Sequence, residues 1–192
     1  METIDTLKSL VSSKSGIARS NVFRVVLPSL PGANSADLNL LCKDVQLPGR
    51  QIMTNERRIG LQFEKVAYGY AVTDISMTFH VMNDYGVKKY FETWQNLAVN
   101  QETFEVGYYN DYTFQIRIDQ LKKGVSLPVY SFNNFLDLFS SKAVFLTEDE
   151  IIYSCILNNA FPTTMNAIQL NNDLDGIVEL NVQLSYKNWN QI

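Results

Sequence analysis

The chain has 192 residues, of which 46% are hydrophobic and 19% charged, with a net charge of −4. A folded domain of that size buries roughly 70% of its unfolded surface, and this apolar content excludes a disordered chain. No run approaches the ~18 apolar residues of a membrane span, and the acidic balance offers no basic footprint for nucleic acid.

In chain order, Ile4, Leu7, Leu10 and Val11 recur at helical spacing, so residues 1–17 are read as a short amphipathic helix or an arm that orders on contact. Lys8, Ser12, Ser13 and Lys14 interrupt any apolar centre of a secretory signal, which points to a chain that is cytoplasmic when made. Asn21–Leu27 reads as a strand stopped by Pro28, and Leu38–Leu47 as a second strand ended by Pro48 and Gly49.

Arg50–Tyr70 departs from its surroundings. It concentrates Arg50, Glu56, Arg57, Arg58, Phe63, Glu64, Lys65, Tyr68 and Tyr70 around Gly60 and Gly69. A stretch of that length without its own packed face is uncommon in a compact domain and is usually functional. It predicts a long hairpin that leaves the core, because solvent alone does not call for so many aromatics.

Val72–Met82 alternates strictly and predicts a strand. Asn83 or Asp84 then caps a helix over residues 83–99, where Val87, Tyr90, Phe91, Trp94, Leu97 and Ala98 form one apolar stripe. Lys88, Lys89, Glu92 and Gln95 take its wet face. Tyr112–Ile118 is another alternating strand, with Tyr112, Phe114, Ile116 and Ile118 inward. Residues 120–147 read as an insertion in which Phe132, Phe135, Leu136, Leu138 and Phe139 suggest a short helix.

Ile151–Leu157 predicts a largely buried strand, followed by a connection through Asn158, Asn159 and Pro162. Asn171, Asn172, Asp173, Asp175 and Gly176 favour turns. From Val178 to Tyr186 the alternation is complete, with Leu180, Val182 and Leu184 on one face and Glu179, Asn181, Gln183 and Ser185 on the other. The whole is read as one mainly β domain with a flanking helix: two packed antiparallel sheets, sandwich-like or barrel-like.

Catalytic patterns are missing. His80 is the one histidine, so neither a zinc site nor a Ser-His-Asp arrangement can be assembled from the sequence. There is no glycine-rich phosphate loop. Glu148, Asp149 and Glu150 read as a solvated acidic turn, and Cys42 and Cys155 as free thiols in apolar strands. No cofactor or metal is implied, and an enzyme is not expected.

Four stretches, in order, resemble the tail tube proteins of contractile-tailed bacteriophages. They are Ala18–Pro28 (ARSNVFRVVLP), Leu40–Arg50 (LLCKDVQLPGR), Val72–Gln95 (VTDISMTFHVMNDYGVKKYFETWQ) and Leu157–Trp189, which ends in an alternating strand. The resemblance covers about three-quarters of the chain. Residues 120–147 depart from it, being longer than that family's usual connection.

The resemblance implies a tail-tube fold and six copies in a ring, the rings stacking into a tube. It implies a sheath protein outside, a tape-measure protein and transiting DNA in the lumen, a baseplate or hub initiator and a tail terminator at the ends. The subunit would be assembled in the host bacterial cytoplasm and reside in the virion tail. In that family the corresponding hairpin reaches neighbouring subunits, so Arg57, Arg58, Phe63, Tyr68 and Tyr70 are expected at subunit interfaces. Two alternatives remain open. One is the inner tube of a bacteriocin-like contractile injection device. The other is a monomeric β-sandwich binding module using Tyr108, Tyr109, Tyr112 and Trp94.

Overall fold

The computed structural model describes residues 3–14, 16–31, 35, 37–122, 127–129, 144–146, 150–170 and 176–192. These fall into two compact units, residues 1–23 with 119–153 and residues 24–118 with 154–192. The insertion helix expected around Phe132–Phe139, most of the acidic run at Glu148–Glu150 and the turn residues Asn171–Asp175 lie outside the described residues. Among the described residues, no helix is long and apolar enough to cross a membrane.

In chain order the elements begin with α1 (Ile4–Ser13), β1 (Phe23–Val26), a 3-10 turn (Leu38–Leu40), β2 (Cys42–Val45), β3 (Gln51–Ile59) and β4 (Gln62–Ala71). They continue with β5 (Ile75–His80), α2 (Gly86–Ala98), α3 (Tyr109–Tyr112) and β6 (Phe114–Lys122). The last are β7 (Leu127–Val129), β8 (Val144–Leu146), β9 (Glu150–Met165), β10 (Glu179–Ser185) and β11 (Asn188–Gln191). Among the described residues the main sheet has seven strands in the order β1-β6-β9-β10-β5-β2, with β11 on β9. The β3–β4 and β7–β8 pairs each form a separate two-stranded sheet. The expected mainly β, antiparallel class with a flanking helix is what the chain adopts.

In the unit of residues 24–118 and 154–192, alternation decides burial. Leu180, Val182 and Leu184 of β10 are buried, as are Ile75, Met77 and Phe79 of β5. Leu180 pairs with Phe79 and Val182 with Met77, so both strands turn one apolar face inward. The stripe of α2 covers it. Val87, Tyr90, Phe91 and Trp94 are buried, and the Phe91 ring lies 5.3 Å from Phe79 and 5.2 Å edge-on from Tyr90. Trp94 extends the cluster to Phe114 at 5.7 Å. Each such side chain contributes about 1.5–3 kcal/mol through burial, and tilted aromatic pairs add about 0.5–1.5 kcal/mol. Polar tips are satisfied: the Tyr90 hydroxyl donates to the Pro28 carbonyl at 2.5 Å, and Trp94 Nε1–H donates to the Tyr112 carbonyl at 2.7 Å. Burial pushes the Tyr90 phenol well above its ordinary pKa.

Several local expectations are corrected. Leu38–Leu40 is a 3-10 turn, and only Cys42–Val45 of the Leu38–Leu47 stretch is strand. Leu38 is buried while Leu40 is exposed, an arrangement that a turn permits and alternation does not produce. Tyr112 ends α3 instead of starting β6. At the start of α2 the N-cap position is Tyr85 with φ 55°, and Asp84, one residue earlier, accepts from the Gly86 N–H at 3.1 Å.

The largest correction is β9. It runs sixteen residues, straight through Asn158, Asn159 and Pro162 where the sequence suggested a connection. Asn159 takes φ 53°, a left-handed conformation that asparagine tolerates better than most residues. On one side of it, Cys155–Asn158 pair with β11, and on the other, Phe161–Met165 pair with β10. Pro162, which cannot donate to a ladder, sits opposite Leu184 beside a register shift.

In the unit of residues 1–23 and 119–153, α1 buries no residue, and Ile4, Leu7 and Leu10 of its apolar stripe are exposed. The Leu121 N–H donates to the Val22 carbonyl at 2.9 Å, and Lys122 lies 3.7 Å from Glu150.

Candidate functional site: assembly surfaces

No group of three or more metal-ligating side chains occurs among the described residues. Among the described residues His80 Nδ1 has no hydrogen-bond partner, and it lies 3.9 Å from a Glu179 oxygen. Cys155 is buried and Cys42 half-buried, the two are not joined in a disulfide, and burial pushes the Cys42 thiol up to about 12. A cleft of about 720 Å³ in the unit of residues 1–23 and 119–153 is bordered by Lys14, Arg19, Lys122 and Glu150 with Ile17 and Ile152.

The aromatic binding site weighed in the sequence does not form. Trp94 is fully buried, and Tyr112 packs edge-on against Tyr109 at 5.7 Å and Phe161 at 5.3 Å. Trp94 and Tyr112 are wall material of the core, leaving only Tyr108 and Tyr109 exposed.

Three surfaces remain. The first is the β3–β4 hairpin, in which every residue from Gln51 to Tyr70 is exposed. Its register closes on the pair Ile59–Gln62 across a Gly60–Leu61 turn with Gly60 at φ 66°, the position where a tight hairpin favours glycine. Arg58 and Phe63 stand opposite one another on one face, beside the Glu56–Lys65 pair. Arg57 falls on the other face, opposite Glu64. Tyr68 occupies a bulge with no partner in the register. Tyr70 belongs to the root, where the Arg50 guanidinium lies 5.3 Å from its ring centre. The hairpin therefore brings Arg58 and Phe63 together and separates Arg57, Tyr68 and Tyr70 from them. Leu61 and Phe63, 91% and 71% exposed, make the tip apolar.

Sequence reasoning missed how that root is held. Arg50 also lies over Trp189 of β11, 5.1 Å from the ring centre, and Trp189 Nε1–H donates to the Gly49 carbonyl at 3.3 Å. A late tryptophan flanked by asparagines, with no apolar alternation of its own, was the available signal.

The second surface is the polar face of β5 and β10. Asn181 Nδ2 is 2.7 Å from Ser76 Oγ and 3.1 Å from Thr78 Oγ1, while Asn166 donates to Asn181 Oδ1 at 3.1 Å. At its edge Lys43 bonds Glu179 at 2.5 Å and holds that carboxyl below its ordinary pKa, with His80 adding to the effect. The centre of this face is polar, neutral and satisfied by its own side chains.

Of the third surface, sequence reasoning had singled out only Tyr108. Between α2 and α3 the chain forms a tight loop in which Val99 bridges Val106, and the Asn100 side chain accepts from the Glu102 and Thr103 N–H groups. Phe104 sits at φ 58°, unusual for a bulky residue. The loop presents Phe104 and Tyr108, 81% and 83% exposed, with Val106. Its signal in the sequence is that residues 90–116 contain no lysine or arginine while Glu102, Glu105 and Asp111 fall within them.

The family described as "Phage tail tube protein" matches residues 16–192. The chain belongs to that family. No protein of curated function matches it in sequence. Among solved structures, a chain of the anti-feeding prophage tube-terminating cap is similar at a TM-score of 0.60 and 14% identity, over 92% of this chain and 91% of that one. A chain of the sheath-tube complex of an extracellular contractile injection system is similar at 0.55 and 15% identity, over 100% and 99%. A chain of the anti-feeding prophage baseplate is similar at 0.57 and 12%, over 92% and 95%. At these identities the likeness is one of fold.

Proposed function

We propose that this member of the phage tail tube protein family is the structural subunit of the inner tube of a contractile phage tail. Six copies close into a ring, and rings stack around a lumen through which DNA passes, with sheath protein outside, tape-measure protein within during assembly, and initiator and terminator proteins at the ends. It resides in the tail of the virion after assembly in the host cytoplasm. The subunit does no chemistry.

The observation that carries this reading is the hairpin. Strands of nine and ten residues with both faces exposed have nothing to pack on among the described residues of one chain. Two-stranded hairpins are marginal in water without a partner surface. Arg57, Arg58, Phe63, Tyr68 and Tyr70 are assigned to contacts between subunits, Tyr70 by way of the root. The neutral polar face around Asn181 is assigned to the lumen, since side chains that satisfy one another and carry little charge give a polyanion nothing to hold.

The similarity to chains of extracellular contractile injection systems supports a second reading, in which the chain is the inner tube of a bacteriocin-like contractile injection device. Co-purification of capsid and genome separates the two.

Negative-stain electron microscopy across protein concentrations, with light scattering on the same samples, tests the proposal. Hollow tubes or six-membered rings are expected. A strict monomer at every concentration, with purified baseplates added as seeds, overturns it.

A further inference from the structure

The hairpin needs a receiving surface, and the chain carries one of opposite character. Between residues 51 and 71 three cations stand against two carboxylates. Lys65 approaches Glu56 at 3.9 Å, and neither Arg57 nor Arg58 has an ion pair among the described residues. Arg58 Nε donates to the Gly60 carbonyl at 2.9 Å, which fixes the guanidinium at the tip and leaves its terminal N–H groups available.

The loop between α2 and α3 is the complement. Glu102 and Glu105 flank Phe104, and neither has a cationic partner among the described residues; Glu105 Oε2 only accepts from Thr103 Oγ1 at 3.3 Å. The Asn100 clamp, the Val99–Val106 bridge and the Gly107 N–H donated to the Ala98 carbonyl at 3.0 Å hold the loop in one shape. An aromatic kept at positive φ and turned to solvent is the kind of strain found at binding surfaces. Both surfaces are exposed in one chain, so they do not satisfy each other within it.

Resting on the tube reading above, we infer that the hairpin tip of one copy docks on the Glu102–Tyr108 loop of a second copy. Arg58 meets Glu105 in charge-assisted hydrogen bonds, Leu61 and Phe63 pack on Phe104 and Tyr108, and Arg57, on the hairpin's other face, adds only its charge to the attraction toward Glu102. Because each chain offers both halves, the contact is head-to-tail and propagates, closing a ring or extending a stack.

Charge reversal tests the contact. Arg57→Glu with Arg58→Glu, and separately Glu102→Lys with Glu105→Lys, each raise the concentration needed for assembly by about tenfold or more. All four changes in one chain restore assembly, with circular dichroism confirming that each variant folds. Glu102→Lys with Glu105→Lys assembling at the wild-type concentration overturns the inference.

A second measurement does not depend on tubes. Arg58→Cys copies mixed with Glu102→Cys copies under mild oxidation give disulfide-linked pairs containing one of each, above the wild-type background. Tubes without that cross-link leave the tube reading standing and overturn the docking. A cross-link without tubes supports the docking and counts against the tube reading. A cross-link from the hairpin to a sheath-type protein only also overturns the docking.

Discussion

The guanidinium of Arg50 lies over the indole of Trp189, 5.1 Å from its centre, tying the root of the hairpin to the final strand. With the Tyr70 ring centre at 5.3 Å, Arg50 makes two ring contacts. Cation–π contacts at exposed sites are worth about 0.5–1 kcal/mol each. Arg50→Ala is expected to destabilise the chain by about 1–2 kcal/mol in urea unfolding. Amide exchange should quicken first at Gln51–Met53 and Gly69–Ala71, and unchanged exchange there would sink the anchoring role.

Replacing Glu56–Lys65 by Asn-Gly keeps Asn55 opposite Val66 and closes the ladder with a favoured two-residue turn. The shortened chain should stay folded and monomeric, because none of the removed side chains is buried. Normal tubes from it in electron microscopy would refute the assignment of the tip to subunit contacts.

Asn181 satisfies Ser76, Thr78 and Asn166 at once. Asn181→Ala leaves half-buried polar groups short of partners, a loss of about 1–3 kcal/mol. Chemical denaturation measures it. Thr163, whose hydroxyl donates to the Gln183 carbonyl at the exposed edge, should matter less when changed to alanine.

Gly107 is set by space. A Cβ there would meet the Leu97 carbonyl oxygen at 2.3 Å, and backbone cannot swing aside as a long side chain can. Gly107→Ala is expected to cost about 1–3 kcal/mol, the range for overpacking. It should also weaken assembly beyond its effect on stability, since it displaces the loop that carries Phe104.

Glu179 predicts a pH dependence. Lys43 and His80 hold its folded pKa below the ordinary 4.5, so its stabilising effect is complete above that value and is lost as pH falls through the folded pKa. Melting temperatures of wild type and Glu179→Gln should therefore differ near neutrality and converge in acid once the pH falls below that lowered folded pKa. A constant difference down to strongly acidic pH would exclude this origin.

How much of this was legible depended on whether local pattern and tertiary role agreed. In β10 and α2 they agree: alternation at Leu180–Leu184 and the stripe Val87–Trp94 each describe the face that is buried. The arm showed itself by composition, because aromatics and charges without a periodic face have no place in a core. In β9 they conflict. Asn158, Asn159 and Pro162 are turn residues by local preference, yet here they let one strand exchange partners while continuing, and that requirement exists only once β10 and β11 are in place. Leu38–Leu40 failed for the opposite reason, since three apolar positions do not distinguish a strand from a single 3-10 turn. Arg58 and Phe63 were named separately, and only the ladder register makes them neighbours. Phe104 went unnoticed because no spacing rule announces a strained backbone angle.

The exposed hairpin also bears on timing. A two-stranded hairpin without a core of its own is marginal in water, so ordering it fully is a toll on the first contact between two free chains. A chain arriving at a growing end meets a surface already fixed in shape and loses less freedom on docking. On the tube reading proposed above, subunits can then remain dispersed at concentrations well above those at which an end would consume them, and a tube would start where a template is supplied, at one place and in one direction.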